Sequence, residues 1–237
     1  MIILPAIDLK DGKPVRLTKG DFATTEQVAD DALNTARAFE NDGATHLHMV
    51  DLDGALAGKP VNDAIVQKVV QGTGLFVEIG GGIRTEETID YYLSTIGVSR
   101  VILGSVAIND PVFAKGMIGK YGKGIAIGID ARDGKASGGG WLNDSDVDFI
   151  ELAVAMADAG AGTIIYTDIS RDGMLSGPDF SGLASLNAAV GADIIASGGI
   201  AGIGDIEALA GIGVAGAICG KSIYKGTLSL KEALSFQ

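Results

Sequence analysis

Two aspartates, Asp8 and Asp130, end short apolar runs in the same local setting. One lies in Ile7-Asp8-Leu9-Lys10-Asp11-Gly12-Lys13, the other in Ile129-Asp130-Ala131-Arg132-Asp133-Gly134-Lys135. Two carboxylates across one pocket can divide acid and base work when their surroundings push their pKa values apart. A lone Asp at a strand end often only caps the next turn. The matched setting of these two favours paired chemistry.

Glycine-rich turns repeat in the same way. Gly80-Gly81-Gly82-Ile83-Arg84 and Gly104-Ser105 lie in the first half, and Ser197-Gly198-Gly199-Ile200 and Gly220-Lys221-Ser222 in the second. Glycines after a strand let backbone N–H groups converge on an anion, helped by a helix N-terminus. Tight turns also use Gly-Gly for steric reasons alone. Two duplicated sets point to two phosphate sites facing each other, built on Gly81, Gly82, Gly104 and Ser105 and on Gly198, Gly199, Gly220 and Lys221. The expected ligand is therefore a small molecule with a phosphate at each end.

Other candidates surround these. Thr167 carries a hydroxyl that could bond a substrate oxygen or hold Asp130; a strand-edge Thr bonded to backbone is the plain alternative. Arg16, His48, Arg84, Trp141 and Asp172 are candidate substrate contacts. Trp141, the sole Trp, follows Gly138-Gly139-Gly140 and suits a loop that stacks on a planar ring and excludes water. Asp172 fits equally an Asx turn before Gly173. His46 and His48 share a strand face, but no third ligand has metal spacing, so no metal is expected. Cys219, the only cysteine, excludes an internal disulfide and reads as a small core residue.

The elements that must position these groups are short apolar runs alternating with helical patterns. Strands are predicted at 2–7, 46–50, 75–79, 100–103, 125–129, 163–167, 193–196 and 217–219. Helices are predicted near 30–41, 62–71, 86–96, 111–120, 146–159, 180–189, 204–210 and 229–236. Such alternation means a parallel sheet with right-handed crossovers. Eight pairs in 237 residues fit the α/β class as a (β/α)8 barrel, whose catalytic groups come from strand C-terminal ends. Further motifs recur: Val50-Asp51-Leu52 answers Thr167-Asp168-Ile169, and Gly104 answers Gly220. The spacing of about 120 residues is too long for a solenoid unit. It predicts one domain, 1–237, made of two duplicated half-barrels, about 1–120 and 121–237. A doubly wound open sheet is the competing topology.

Composition agrees with this. Hydrophobic residues make up 47% and aromatics 5%, so the core is aliphatic. A net charge of −12 disfavours nucleic acid and anionic membrane as partners. Backbone amides at glycine turns reconcile that charge with anionic ligands. The apolar start lacks a basic flank, and Pro5 and Asp8 break it early, so a cytoplasmic protein without signal peptide or membrane span is expected. With no appended arm, a monomer is expected.

Together the motifs resemble a known family. Leu4-Pro5-Ala6-Ile7-Asp8-Leu9-Lys10-Asp11-Gly12, Val50-Asp51-Leu52-Asp53-Gly54-Ala55, Gly80-Gly81-Gly82-Ile83-Arg84, Tyr166-Thr167-Asp168-Ile169-Ser170-Arg171-Asp172-Gly173-Met174 and Ala196-Ser197-Gly198-Gly199-Ile200 look like the phosphoribosylformimino-5-aminoimidazole carboxamide ribotide (ProFAR) isomerases of histidine biosynthesis. The resemblance implies a (β/α)8 barrel, a bisphosphorylated substrate, and no metal or organic cofactor. It implies an Amadori rearrangement of an aminoaldose to an aminoketose, with Asp8 as general base, Asp130 as general acid and Thr167 assisting. Relatives that also isomerise phosphoribosyl anthranilate usually carry Ser where this chain has Gly80, and tend to carry Arg where it has Gly139. Both departures favour the dedicated histidine enzyme over a bifunctional one. The cyclase subunit of imidazole glycerol phosphate synthase shares both Asp positions, but its strand one ends in Cys-Leu before the Asp, where this chain has Ala6-Ile7. A silent phosphate-binding barrel would have lost one of the two carboxylates.

Overall fold

A computed structural model of the chain describes residues 1–138, 141 and 143–237. In chain order the strands are β1 (Ile2–Lys10), β2 (Lys13–Thr18), β3 (Asp21–Gln27), β4 (His46–Asp51), β5 (Phe76–Gly80) and β6 (Arg100–Leu103). They continue with β7 (Ile125–Arg132), β8 (Lys135–Gly138), β9 (Asn143–Asp148), β10 (Thr163–Asp168), β11 (Asp193–Ser197) and β12 (Gly216–Cys219). Eight of them, β1, β4, β5, β6, β7, β10, β11 and β12, pair in parallel in that order, and β12–β1 pairing closes the ring. Helices follow the strands, so the fold is a (β/α)8 barrel.

Strand alternation makes two cores. In β7, Ile125, Ile127 and Ile129 point outward into the large cluster beneath the helices. Facing inward, Leu4, Ala6, Ile102, Ala126, Ile165, Ile195 and Ile218 fill the barrel interior. Burying one such Ile or Leu contributes about 1.5–3 kcal/mol. An exposed pair such as Lys120–Glu86 contributes little by comparison, because water screens it. Aliphatic packing therefore holds the barrel, as the composition predicts.

Helix starts are set by caps. Asp31 accepts from the Asn34 N–H, Asp179 from Gly182, and Asp110, followed by Pro111, from Phe113. The helix predicted at 146–159 instead spans Phe149–Ala157, because Asp148 accepts from the N–H groups of Ile150 and Glu151 and the chain before it is β9. Three short helices, Leu52–Ala57, Ser105–Asn109 and Lys221–Tyr224, have too few residues to show a periodicity and were not anticipated.

The largest difference lies above the first and fifth barrel strands. The stretch holding Arg16 and Lys19-Gly20-Asp21, which lies between the strand predicted at 2–7 and the helix predicted near 30–41, is the antiparallel pair β2–β3. The stretch after β7 forms β8 and β9. The turns that fold β2 back on β1 and β8 back on β7 are Asp-Gly with positive φ at each residue: 50° and 77° at Asp11-Gly12, 50° and 79° at Asp133-Gly134. That is the tight-hairpin geometry Asp-Gly favours, so the repeated dipeptide was itself the hairpin signal. Gly139, Gly140 and Leu142 fall outside the described residues, and so does the comparison drawn at Gly139.

Candidate active site

The candidate catalytic, phosphate-binding and substrate-contact residues named from the sequence meet in one pocket at the C-terminal mouth of the barrel. Asp8, Arg16, His48, Arg84, Asp130, Trp141, Thr167 and Asp172 line it, together with Gly81, Gly82, Gly104, Ser105, Gly198, Gly199, Gly220 and Lys221. Asp8 lies near the C-terminal end of β1 and Asp130 near that of β7, so the carboxylates rise from opposite sides of the ring.

Their surroundings differ. Asp8 Oδ2 accepts from Arg16 Nη1 at 2.6 Å. Arg16 also donates from Nη2 to the Ala6 carbonyl at 3.0 Å, and its guanidinium lies over the Tyr224 ring at 5.5 Å. A Cβ on Gly220 would sit 2.0 Å from Arg16 Nη2, so that glycine makes room for the arginine. Burial works against the Arg16 charge, but the charges of Asp8, Tyr224 and Asp172 and the hydrogen bond to Asp8 together outweigh it and raise the Arg16 pKa. Among the described residues no ion pair of this kind reaches Asp130. Burial pushes its carboxyl above the usual range, and hydrogen bonds from the Trp141 and Thr167 side chains and the charge of His48 offset only part of the rise. One carboxylate is ion-paired, the other biased toward its protonated form.

A third carboxylate, Asp172, also faces the pocket. Burial is the main cause that pushes it up to about 6; Arg16 and Lys221 pull it down, Asp8 and Asp130 push it up. Its carbonyl accepts from the Lys19 N–H at 3.0 Å and ties the β10 loop to the β2–β3 hairpin.

The glycine pairs carry a steric load as well. A Cβ on Gly82 would lie 2.0 Å from the Gly54 carbonyl oxygen, and one on Gly199 2.4 Å from that of Gly177. Gly81, Gly82, Gly198 and Gly199 all have positive φ. Each pair thus packs its loop on the loop before it while lining the pocket. Gly104 and Gly220 share an unusual backbone, with ψ of −102° and −94°, and each caps a short helix. Lys221 donates to Thr18 Oγ1 at 3.1 Å, which brings its ammonium group beneath the first hairpin. Arg84 turns back, donating from Nη2 to the Ala55 carbonyl at 2.9 Å. Trp141 packs against Gly20 in the opposite hairpin, where a Cβ would meet its ring at 2.1 Å. The two hairpins therefore touch above the mouth.

Repeated Asp51 and Asp168 are structural. Asp51 is fully buried and accepts from the Gly54, Val61 and Asn62 N–H groups and from Asn62 Nδ2. Asp168 accepts from Ser170 and Arg171. Sequence reasoning missed Tyr224, which backs Arg16, and the pair Glu78–Arg100 beneath His48. A charged residue at an inward position of the apolar run 75–79 was the available signal. Among the described residues no His, Cys, Asp and Glu cluster is placed to hold a metal ion, and no helix is long and apolar enough to cross a membrane.

Residues 2–229 match the protein family described as Histidine biosynthesis protein. A Clostridium beijerinckii protein is 51% identical over 234 residues, 99% of this chain and 97% of its own length. A Listeria monocytogenes (serotype 4a) protein is 47% identical over 237 residues, 100% of this chain and 98% of its own. One from Clostridium novyi is 49% identical over 99% and 98%. All three are named 1-(5-phosphoribosyl)-5-((5-phosphoribosylamino)methylideneamino)imidazole-4-carboxamide isomerase.

Proposed function

The chain belongs to the histidine biosynthesis protein family, and on that premise we propose that it is the ProFAR isomerase, with Asp130 as general acid and Asp8 as general base. The observation that carries this assignment of roles is the contrast between the two facing carboxylates. Asp130 is biased toward its protonated form, while Asp8 sits in an ion pair with Arg16.

In the proposed sequence Asp130 gives its proton to the ribose ring oxygen. The C1–oxygen bond breaks as the nitrogen lone pair forms a C1=N bond, leaving an open-chain protonated Schiff base. Asp8 then removes the proton on C2, and that electron pair forms C1=C2 while the C=N electrons return to nitrogen. The resulting enolamine loses its hydroxyl proton and gains one at C1, which gives the aminoketose. Thr167 and Trp141 hold the Asp130 carboxyl in line, and each positioned proton transfer is worth about 10²–10⁴ in rate. Clamping both ends of the substrate adds orientation.

The phosphate groups are assigned to the two glycine sets, one at Gly81, Gly82, Gly104 and Ser105, the other at Gly198, Gly199, Gly220 and Lys221. Lys221 gives the second set a formal charge. The reading takes the substrate as bisphosphorylated and the two halves as duplicates of one ancestral unit. The reading of strict specificity for ProFAR rests on Gly80, where bifunctional relatives usually carry Ser; a Cβ there would lie in ordinary contact, 3.5 Å from Ile102, so steric exclusion of a side chain does not account for the glycine. Titration with inorganic phosphate, followed by calorimetry, should reveal two equivalents bound at the mouth, competed by the bisphosphorylated product. A single competed equivalent would remove the two-ended clamp.

A further inference from the structure

His48, Glu78 and Arg100 stand in one register row across three neighbouring strands: His48 pairs with Glu78, and Glu78 with Arg100. All three face the barrel interior, beside the aliphatic cluster that fills it. Glu78 is fully buried, and both of its oxygens are engaged. Oε1 lies 2.6 Å from His48 Nδ1; Oε2 accepts from Arg100 Nη2 at 2.5 Å and Nε at 3.0 Å. Arg100 reaches on to Thr163 Oγ1 at 2.9 Å, so the network runs from β4 to β10. Burial pushes the Glu78 carboxyl up, but His48 and Arg100 outweigh it and hold it below the usual range. A buried charged row is a poor way to stabilise a core, since well-packed apolar residues do as well or better. Its upper end, His48, lines the same pocket as Asp130.

We propose that Glu78 is a positioning residue: its carboxylate keeps Nδ1 of His48 protonated and turned inward, and so presents Nε2 to the substrate beside Asp130. Arg100 holds Glu78 from the far side, with Thr163 fixing the guanidinium. A carboxylate accepting from one imidazole nitrogen sets the tautomer and the ring orientation at the other. The kinetic consequence rests on the isomerase reading above; the tautomer does not.

Replacement of Glu78 by Gln makes the two separable. Arg100 is donor-only, so it claims the amide oxygen and leaves the NH2 group facing His48. That group donates to Nδ1, and the neutral ring must carry its proton on Nε2 instead. The experiment is long-range proton–nitrogen NMR of the imidazoles in 15N-labelled protein. The chain has only two histidines, and His46→Gln assigns them. In the unsubstituted protein His48 Nδ1 should show the shift of a protonated nitrogen, a result that needs no variant to fold. In Glu78→Gln the protonated-type shift should move to Nε2. With ProFAR, kcat should fall about 10–100-fold while KM changes less than about threefold. An unprotonated Nδ1 in the unsubstituted protein, or an unchanged tautomer and kcat in Glu78→Gln, would overturn the proposal. If the unsubstituted protein fails to convert ProFAR, the isomerase reading falls, and the NMR result alone decides the role of Glu78.

Discussion

Asp8→Asn should lower kcat for ProFAR isomerisation by about 10²–10⁴, and leave affinity for the product within a few-fold of the unsubstituted protein. Asn keeps the size of the side chain and an oxygen that can accept from Arg16, so the pocket retains its shape. What it loses is the basicity that the proposed removal of the C2 proton needs. Affinity resides mainly in the phosphate ends, which Asp8 does not touch in this account, so the loss appears in kcat and not in binding. Steady-state kinetics together with calorimetric titration of the product separate the two. A kcat within tenfold of the unsubstituted value would remove Asp8 from the mechanism.

Asp130→Asn should produce a loss of similar size, about 10²–10⁴ in kcat/KM, with a different pH signature and an opposite effect on stability. A general acid works in its protonated form, so its contribution falls as pH rises through its folded pKa. In the unsubstituted enzyme Asp130 then shapes the alkaline limb of the kcat/KM profile, and the variant should lack that limb. The stability sign follows from the same shift. Burial raises the folded pKa above the unfolded one, so the folded state binds the proton more tightly. Its contribution is most favourable below the unfolded pKa and is lost as pH rises through the folded pKa. At neutral pH a neutral amide avoids that loss, and Asp130→Asn should melt at a higher temperature than the unsubstituted protein. Such an exchange of stability for activity is common where a site holds a group in an unfavourable state. A variant that keeps both its rate and its alkaline limb would contradict the assignment of Asp130.

Much of this architecture is legible in the sequence, for identifiable reasons. Barrel strands bury both faces, so they read as continuous apolar runs, and the segment at 100–103 is Arg100–Leu103 in the structure. Positions with chemistry stand out because a polar residue ends an apolar run, as Asp8, Asp130 and Thr167 do. The hairpins were obscured because β3, Asp-Phe-Ala-Thr-Thr-Glu-Gln, is exposed along nearly its whole length and shows no apolar alternation. Only the Asp-Gly turns, with their positive φ, marked them. The ion pair between Arg16 and Asp8 joins residues on adjacent strands of such a hairpin, so it became visible only once β2 was known to fold back on β1. The row from His48 to Arg100 depends on parallel register, which periodicity within one strand does not report. The glycine pairs were anticipated as anion sites, and their steric role against Gly54 and Gly177 emerged only from the packing of successive loops.

The most direct test of the account is an isomerisation assay of the purified protein with ProFAR and, separately, with phosphoribosyl anthranilate, each followed by absorbance or fluorescence. The account predicts turnover of ProFAR and none of phosphoribosyl anthranilate. A folded protein that leaves ProFAR unchanged would contradict it.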